Sequence, residues 1–333
     1  MLEGLFAAAD WPEESNSSLV RIMMPLKFLQ LRGHEVKACH ITEINFSEVP
    51  EVVLVERVIT PELVEMLRLA GAKRIVVTFD DHYGLVPTST TSHSYWKKGE
   101  KRSLPPFRRA LRLVDLAVVP SRNLVSDFNG ATQGRIEYLP NFLDPDLWKD
   151  LPSRESDKIV IGWGGSLGHI ETWRTSKLPQ ALKFITDEFG EKVEILSCGS
   201  VADEFLAWAN VPFKSQEWVK FTDWPKTVAR FDIGLAPMDR KYDTFRSNLK
   251  LLEYGMASAA YAASYEGAYV TDGSPGGVLV EKNTVSDWYN AIRDLIVDTD
   301  TRKRLGQLGR TWAEGYLMPD HVEDYEKVLW PNA

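Results

Sequence analysis

Short apolar runs and amphipathic segments alternate along this chain, and the alternation breaks once and restarts. Residues 2–9 (LEGLFAAA) read as a strand, and 10–18 as a polar loop. Residues 18–32 read as a helix with Leu19, Ile22, Met23, Leu26 and Leu29 at helical spacing, and 35–41 (EVKACHI) as a second strand. Pro25 inside the helix predicts a kink, and Gly33 a C-terminal stop. A strand–helix–strand unit of this length crosses over right-handedly into a parallel sheet, so the chain begins as a doubly wound α/β domain. Strands at 51–57, 74–81, 116–119 and from 135 continue the pattern. The polar segment LPSRESDK (151–158) then reads as a linker. A second series starts at KIVIGW (158–163), with strands at 191–198, 232–237 and 259–264 and helices at about 173–188, 285–297, 300–315 and 319–330. The expected fold class is α/β, with one domain over 1–150 and a second over 151–315. A C-terminal helix of about 316–333 is expected to cross back to the first domain.

Composition narrows the function classes. No apolar stretch approaches the ~18 residues that would span a bilayer. The N-terminus lacks a basic region before its apolar run and turns acidic quickly, unlike a signal peptide. Cys39 and Cys198 are the two cysteines, far apart and without ligand spacing around them, which fits a reducing cytoplasm rather than a disulfide framework or zinc site. A net charge of −8 argues against wholesale nucleic-acid binding. A cytoplasmic protein without a transmembrane segment is the expectation.

Chemistry concentrates in three places. Residues 243–258 (DTFRSNLKLLEYGMAS) read as a helix whose start is capped by Asp243 or Thr244. Arg246 and Lys250 would project from one face near that start, with Glu253 on roughly the same side. A helix N-terminus with two cations suits a diphosphate, and a carboxylate one or two turns in suits a ribose. The alternative is an ordinary amphipathic helix burying Leu249, Leu252 and Met256. The loop GGSLGH (164–169) follows a strand, and Gly164, Gly165 and Gly168 would let a phosphate approach its backbone. Asp80, Asp81 and His82 end the strand at 74–81, where ligands gather in open α/β sheets. They read as chemistry, as loop caps, or as part of a divalent-metal pair. Finally, Lys97, Lys98, Lys101, Arg102, Arg108, Arg109 and Arg112 cluster beside Tyr95 and Trp96. The 95–112 window reads either as a footprint for an anionic acceptor or as a solvated loop and helix face.

With these pieces in order, the chain resembles the retaining GT-B glycosyltransferases of the large group 1 superfamily, also called family 4. IVIGWGGSLGH resembles the family's strand and glycine loop opening the donor domain. FDIGLAPMDRKYDTFRSNLKLLEYGMAS resembles its donor phosphate and ribose segment, and LPNFLDPDLW its interdomain run. VVPSRNLVSDF, RIMMPLKFLQLRGHEV and VERVITPELVEMLRLAGAKRIVVTFDD resemble N-terminal segments in the family's order.

The resemblance implies two Rossmann-like domains facing each other across a cleft, with acceptor on the first and nucleotide-sugar donor on the second. It implies a hexosyltransferase-like enzyme, retaining and metal-independent, with no cofactor beyond a donor such as a UDP- or GDP-sugar. Gly164, Gly165, Ser166, His169, Arg246, Ser247, Asn248, Lys250 and Glu253 would bind that donor. Lys250 would also stabilise the leaving diphosphate, while Asp81 and His82 would position the acceptor or steady the sugar. A hinge at 148–157 would close the domains. Glu253 matches the second glutamate of the family's E-x7-E signature, but Phe245 stands at the first, so this is a divergent member. Nucleotide-sugar epimerase or phosphorylase chemistry on the same fold is one alternative; a degenerate domain that binds nucleotide or glycan without turnover is another. The acceptor is open among a glycan, a lipid-linked sugar, a protein, a small molecule and a modified DNA base or other anionic polymer.

Overall fold

The computed structural model describes residues 2–10, 16–97, 104–154, 156–239 and 241–332. Parts of the expected polar loop at 10–18 and of the linker at 151–158 lie outside these. The described chain forms two compact units: Met1–Asp144 with Phe245–Ser247 and Tyr316–Ala333, and Pro145–Thr244 with Asn248–Gly315.

The first unit holds a six-stranded parallel sheet, β1 (Glu3–Ala8), β2 (Glu35–His40), β3 (Val52–Glu56), β4 (Arg74–Thr78), β5 (Leu116–Val119) and β6 (Ile136–Tyr138), in the order β2-β1-β3-β4-β5-β6. The central strands are apolar runs buried along their length, as expected where helices cover both faces of a parallel sheet. The expected kink at Pro25 takes another form. Leu19–Met23 is a π-helical stretch, and the α-helix resumes at Met24–Leu31 with Pro25 in its first turn. Proline has no N–H to donate and its ring crowds the carbonyl four residues back, and a widened turn removes both conflicts. The C-terminal helix Val322–Leu329 packs in this unit. Arg74 Nε donates to Val328 O (2.8 Å), and the Leu143 and Met318 amides bond Tyr316 O and Leu143 O (both 2.9 Å).

The second unit repeats the plan with β7 (Ile159–Gly164), β8 (Val193–Cys198), β9 (Lys214–Gln216), β10 (Ile233–Ala236), β11 (Ala260–Ser264) and β12 (Gly277–Val280), in the order β12-β11-β10-β7-β8-β9, all parallel. β12 and the short helix Ala268–Thr271 were not anticipated. The expected helix at 173–188 is two helices, Ile170–Thr175 and Leu178–Phe189, broken where Lys177 takes a left-handed conformation (φ +57°). The core between sheet and helices gathers Trp163, Trp173, Leu182, Ile195, Leu235 and Trp288.

The helix Leu249–Met256 lies close on this sheet because small residues permit it. A Cβ on Gly234 of β10 would strike the Tyr254 ring, whose hydroxyl donates to Leu235 O (2.8 Å). On the helix's other side, Gly255 touches the backbone of Gly309 in the helix Thr299–Glu314. Among the described residues no helix is long and apolar enough to cross a membrane.

Candidate functional site

In open α/β sheets ligands collect beyond the C-terminal strand ends where the strand order reverses. In the second unit that point falls between β7 and β10. Lys250, in the first turn of its helix, reaches across to the end of β7, where its ammonium donates to Gly164 O and lies 5.4 Å from the Trp163 ring centroid. Glu253, one turn further, is buried and receives a hydrogen bond from Trp224. Burial raises its carboxyl above the ordinary range, against the opposing pull of Lys250 and Trp224. Lys250, Glu253 and Gly164 thus converge as the sequence implied.

The glycines have a local reason as well. A Cβ on Gly164 would collide with the Trp224 indole, and one on Gly165 with Trp163 and His169. The rings of this unit fill the directions that side chains would occupy. Ser166 is exposed at the start of the turn Leu167–His169, whose His169 ring stands edge-on to Trp163 (5.8 Å). Arg174 pairs with Glu171 on the exposed face of its helix.

The organising segment departs from expectation at its start. Asp243 and Thr244 do not cap the helix, which begins only at Leu249 with Asn248 as N-cap. Asp243 is buried and accepts from Thr172 Oγ1 and from the Asp239 amide (2.9 Å). Asn248 is 0% exposed, yet neither its Oδ1 nor its Nδ2 has a hydrogen-bond partner. A buried amide left unpaired costs about 1–3 kcal/mol. It stands at a helix N-terminus, two residues before Lys250.

Arg246 and Ser247 do not share a helix face with Lys250 either; with Phe245 they pack in the first unit. Arg246 Nε lies 3.6 Å from Asp81 Oδ1, and Ser247 Oγ accepts from Asn141 Nδ2 (2.9 Å). Phe245 places its ring 4.6 Å from the His82 ring. His82 is buried, with Nε2 2.7 Å from Asp127 Oδ2 and no partner for Nδ1. A carboxylate on one ring nitrogen orients an imidazole and leaves the other nitrogen for a ligand. Asp127 was missed, because it lies 45 residues from His82 in sequence. Asp80 is held by Ser17 and by Tyr83 (3.3 Å).

Two buried charges also escaped sequence reading. Arg21, 2% exposed, donates to Thr78 Oγ1 (2.9 Å), Leu139 O (2.8 Å), Pro140 O (3.2 Å), Asn141 Oδ1 (3.2 Å) and Val118 O (3.5 Å). Glu56, at the end of β3, accepts from Ser18 Oγ (2.6 Å) and the Ala9 amide (2.9 Å), while its buried Oε1 accepts no hydrogen bond and has Arg57 Nη1 at 3.8 Å. Burial pushes this carboxyl up to about 7 despite those bonds. Apolar helix periodicity gives no sign of Arg21, and a carboxylate closing a buried strand was the only visible hint of Glu56.

Of the basic window, Lys98, Lys101 and Arg102 lie outside the described residues. Trp96 is no stacking platform: it is buried, parallel to Tyr83 at 3.9 Å and edge-on to Phe107. Arg108, Arg109 and Arg112 are exposed. Among the described residues no three His, Cys, Asp or Glu side chains are grouped to hold a metal ion. Beside the glycine loop, Gly199 (φ +92°) follows β8 next to the Gly165 carbonyl and lets the exposed Trp218 indole pack over it, a feature the sequence did not single out.

No family model matches the sequence, and no curated protein matches it significantly. Solved structures do match its fold. Anabaena HepE in complex with UDP and glucose superposes with a TM-score of 0.68 at 13% identity, over 99% of this chain and 100% of that one. Sucrose-phosphate synthase from Thermosynechococcus elongatus gives 0.73 at 12%, over 98% of both chains. A glycosyltransferase from Rickettsia africae gives 0.69 at 12%, over 100% of this chain and 99% of that one. The chain therefore has the GT-B fold, an α/β architecture of two Rossmann-like units.

Proposed function

We propose that this protein is a glycosyltransferase that takes a sugar from a nucleotide-diphosphate donor, a UDP-sugar in the first instance. The observation that carries this reading is the buried, unpartnered Asn248 amide at the N-terminus of Leu249–Met256, beside Lys250 and the end of β7. A helix N-terminus, an ammonium and an amide seeking partners form an anion site at the strand-order reversal, where nucleotides bind in this class of sheet. The fold likeness to HepE bound to UDP and glucose supports the same donor class.

In this reading the second unit, Pro145–Thr244 with Asn248–Gly315, forms the donor domain, and the first unit, which includes Phe245–Ser247 and the C-terminal helix, forms the acceptor domain. Asn248 and Lys250 meet the diphosphate, together with Gly164, Gly165, Ser166 and His169. Glu253 meets the ribose, and Trp218 offers a face on which the base stacks. Cleavage of the sugar–phosphate bond builds negative charge on the leaving diphosphate. Lys250 and the helix N-terminus stabilise that charge more in the transition state than in the ground state. The donor thus needs no metal ion for its departure, and transfer proceeds with retention. On the acceptor domain, the His82 Nδ1 lone pair accepts a hydrogen bond from an acceptor hydroxyl while Asp127 fixes the ring, and Asp81 with Arg246 frames that position.

One observation favours a second reading, nucleotide or glycan binding without turnover. Phe245 turns an apolar ring onto His82 where the resembled family carries a glutamate. Calorimetry with UDP, GDP, ADP, dTDP and their sugars, with and without Mg²⁺, tests both. Metal-independent binding of one nucleotide family with donor turnover supports the transferase. Binding without sugar transfer or donor hydrolysis supports the second reading, and no binding at all refutes the transferase and leaves of the second reading only glycan binding.

A further inference from the structure

The second unit carries a cavity of about 280 Å³ lined by Arg154, Asp232, Ser258, Arg302, Lys303 and Gln307. It lies at the N-terminal edge of the sheet: Asp232 immediately precedes β10, and Ser258 lies two residues before β11. The candidate donor site is at the opposite, C-terminal edge. We propose that this cavity is a second ligand site, specific for a phosphate dianion carried either as inorganic phosphate or as a small phosphate monoester.

Charge is the first support. Three cations line the cavity against one carboxylate, and that carboxylate is engaged: Asp232 pairs with Arg154 (3.0 Å) and accepts from the Val160 amide (2.9 Å). Arg302 and Lys303 have no ion-pair partner within 4 Å among the described residues. The two guanidiniums do bond backbone carbonyls. Arg154 reaches Ala229 O (3.3 Å), Ala257 O (3.2 Å) and Ser258 O (3.3 Å); Arg302 reaches Leu295 O (2.6 Å) and Ile296 O (3.0 Å). Those bonds fix where the guanidiniums sit, but carbonyls are neutral, so Asp232 is the one lining carboxylate set against three cations. Burial lowers Arg302 below the ordinary guanidinium range; Arg154 adds to this while Asp232 and Asp298 oppose it. Like charges held together in a partly desolvated concavity are what an anion relieves.

Backbone strain is the second, independent support. Ser258 follows the C-cap of Leu249–Met256 in the left-handed region (φ +53°), a position where glycine is favoured and a side chain costs about 1–2 kcal/mol. Ser258, kept at that cost, lines the cavity. Gly306 keeps the helix Thr299–Glu314 against the Ser258 carbonyl, which brings Lys303 and Gln307 to the same wall. An ammonium, a guanidinium, a hydroxyl and a carboxamide make a donor set suited to a phosphate group.

Titration of the full chain with inorganic phosphate and with glycerol phosphate at constant ionic strength tests the site. Lys303→Gln and Ser258→Gly are the first variants, and Arg302→Gln a further one because it also loses the carbonyl bonds. Lys250→Ala serves as the donor-site control. The expected result is saturable binding that falls at least tenfold in Lys303→Gln, falls in Ser258→Gly, and is retained in Lys250→Ala. Tighter binding of glycerol phosphate than of phosphate identifies an ester as the ligand; equal or weaker binding identifies the free ion. No saturable binding, unchanged affinity in Lys303→Gln and Ser258→Gly, or loss in Lys250→Ala overturns the proposal.

Discussion

The two sheets reverse strand order at different places, and the polar groups gathered there are treated differently. Between β1 and β3 of the first unit the charges close on one another. Glu56 takes the Ala9 amide and Ser18, Arg57 pairs with Asp10, and Asp80 holds Ser17. Nearby Arg21 spends its guanidinium on five acceptors. Between β7 and β10 of the second unit, Asn248 is fully buried and bonded through neither side-chain atom. The first cluster bonds mostly within itself, with Glu56 Oε1 left only Arg57 Nη1 at 3.8 Å, and supports its own fold; a side chain bonded through no atom, as at Asn248, is built for something that arrives later. Position at a strand-order reversal therefore does not mark a site by itself; the state of its hydrogen bonds decides.

The largest effect expected from this contrast is at Arg21. Arg21→Ala strips donors from three carbonyls and two side chains inside the first unit, and should cost about 3–5 kcal/mol in urea unfolding. A loss under about 1 kcal/mol would break the claim that this cluster is structural.

Glu56 sharpens the same side. Its carboxyl ionises near 4.5 when unfolded and near 7 when folded, so between those values the folded state keeps a proton that the unfolded state has released. Stability from this group should fall by about 3 kcal/mol as pH rises from about 4.5 to about 7. Glu56→Gln, which mimics the protonated acid, should match the wild type at pH 4.5 and exceed it at pH 8. Parallel pH profiles for the two proteins would refute the assignment.

On the other side the effects should appear in binding. Glu253→Ala should weaken nucleotide-sugar affinity by about 1–3 kcal/mol if its carboxylate holds the ribose. Calorimetry giving an unchanged Kd would remove that role. The smallest stability effect is expected from a matched pair of amides. Asn141→Ala should cost about 1–2 kcal/mol, because Arg21 and Ser247 lose a partner. Asn248→Ala should leave stability within about 0.5 kcal/mol while weakening nucleotide-diphosphate binding. Equal destabilisation by both would erase the distinction between the two reversals.

Much of the fold was legible because its signals are local. Buried strand runs such as VVLVE and KIVIGW, the helices between them and the polar break near 151–158 are written within windows of a few residues, and two parallel sheets follow from them. β12 escaped because GVLV is a short edge strand flanked by glycine and offers little periodicity. Lys250, Glu253 and the glycine loop were legible as a group because one helix and one strand end carry them. The sequence by itself thus determined the α/β architecture and the chemistry available at the helix Leu249–Met256. Only the tertiary structure decided the rest: that Phe245–Ser247 leave the helix to pack with His82, Asp81 and Asn141, that Asp127 reaches His82, and that Arg21 and Glu56 are buried. Each of those outcomes depends on a partner tens of residues or more away. Local spacing sets which face a side chain occupies, but only packing settles what meets that face.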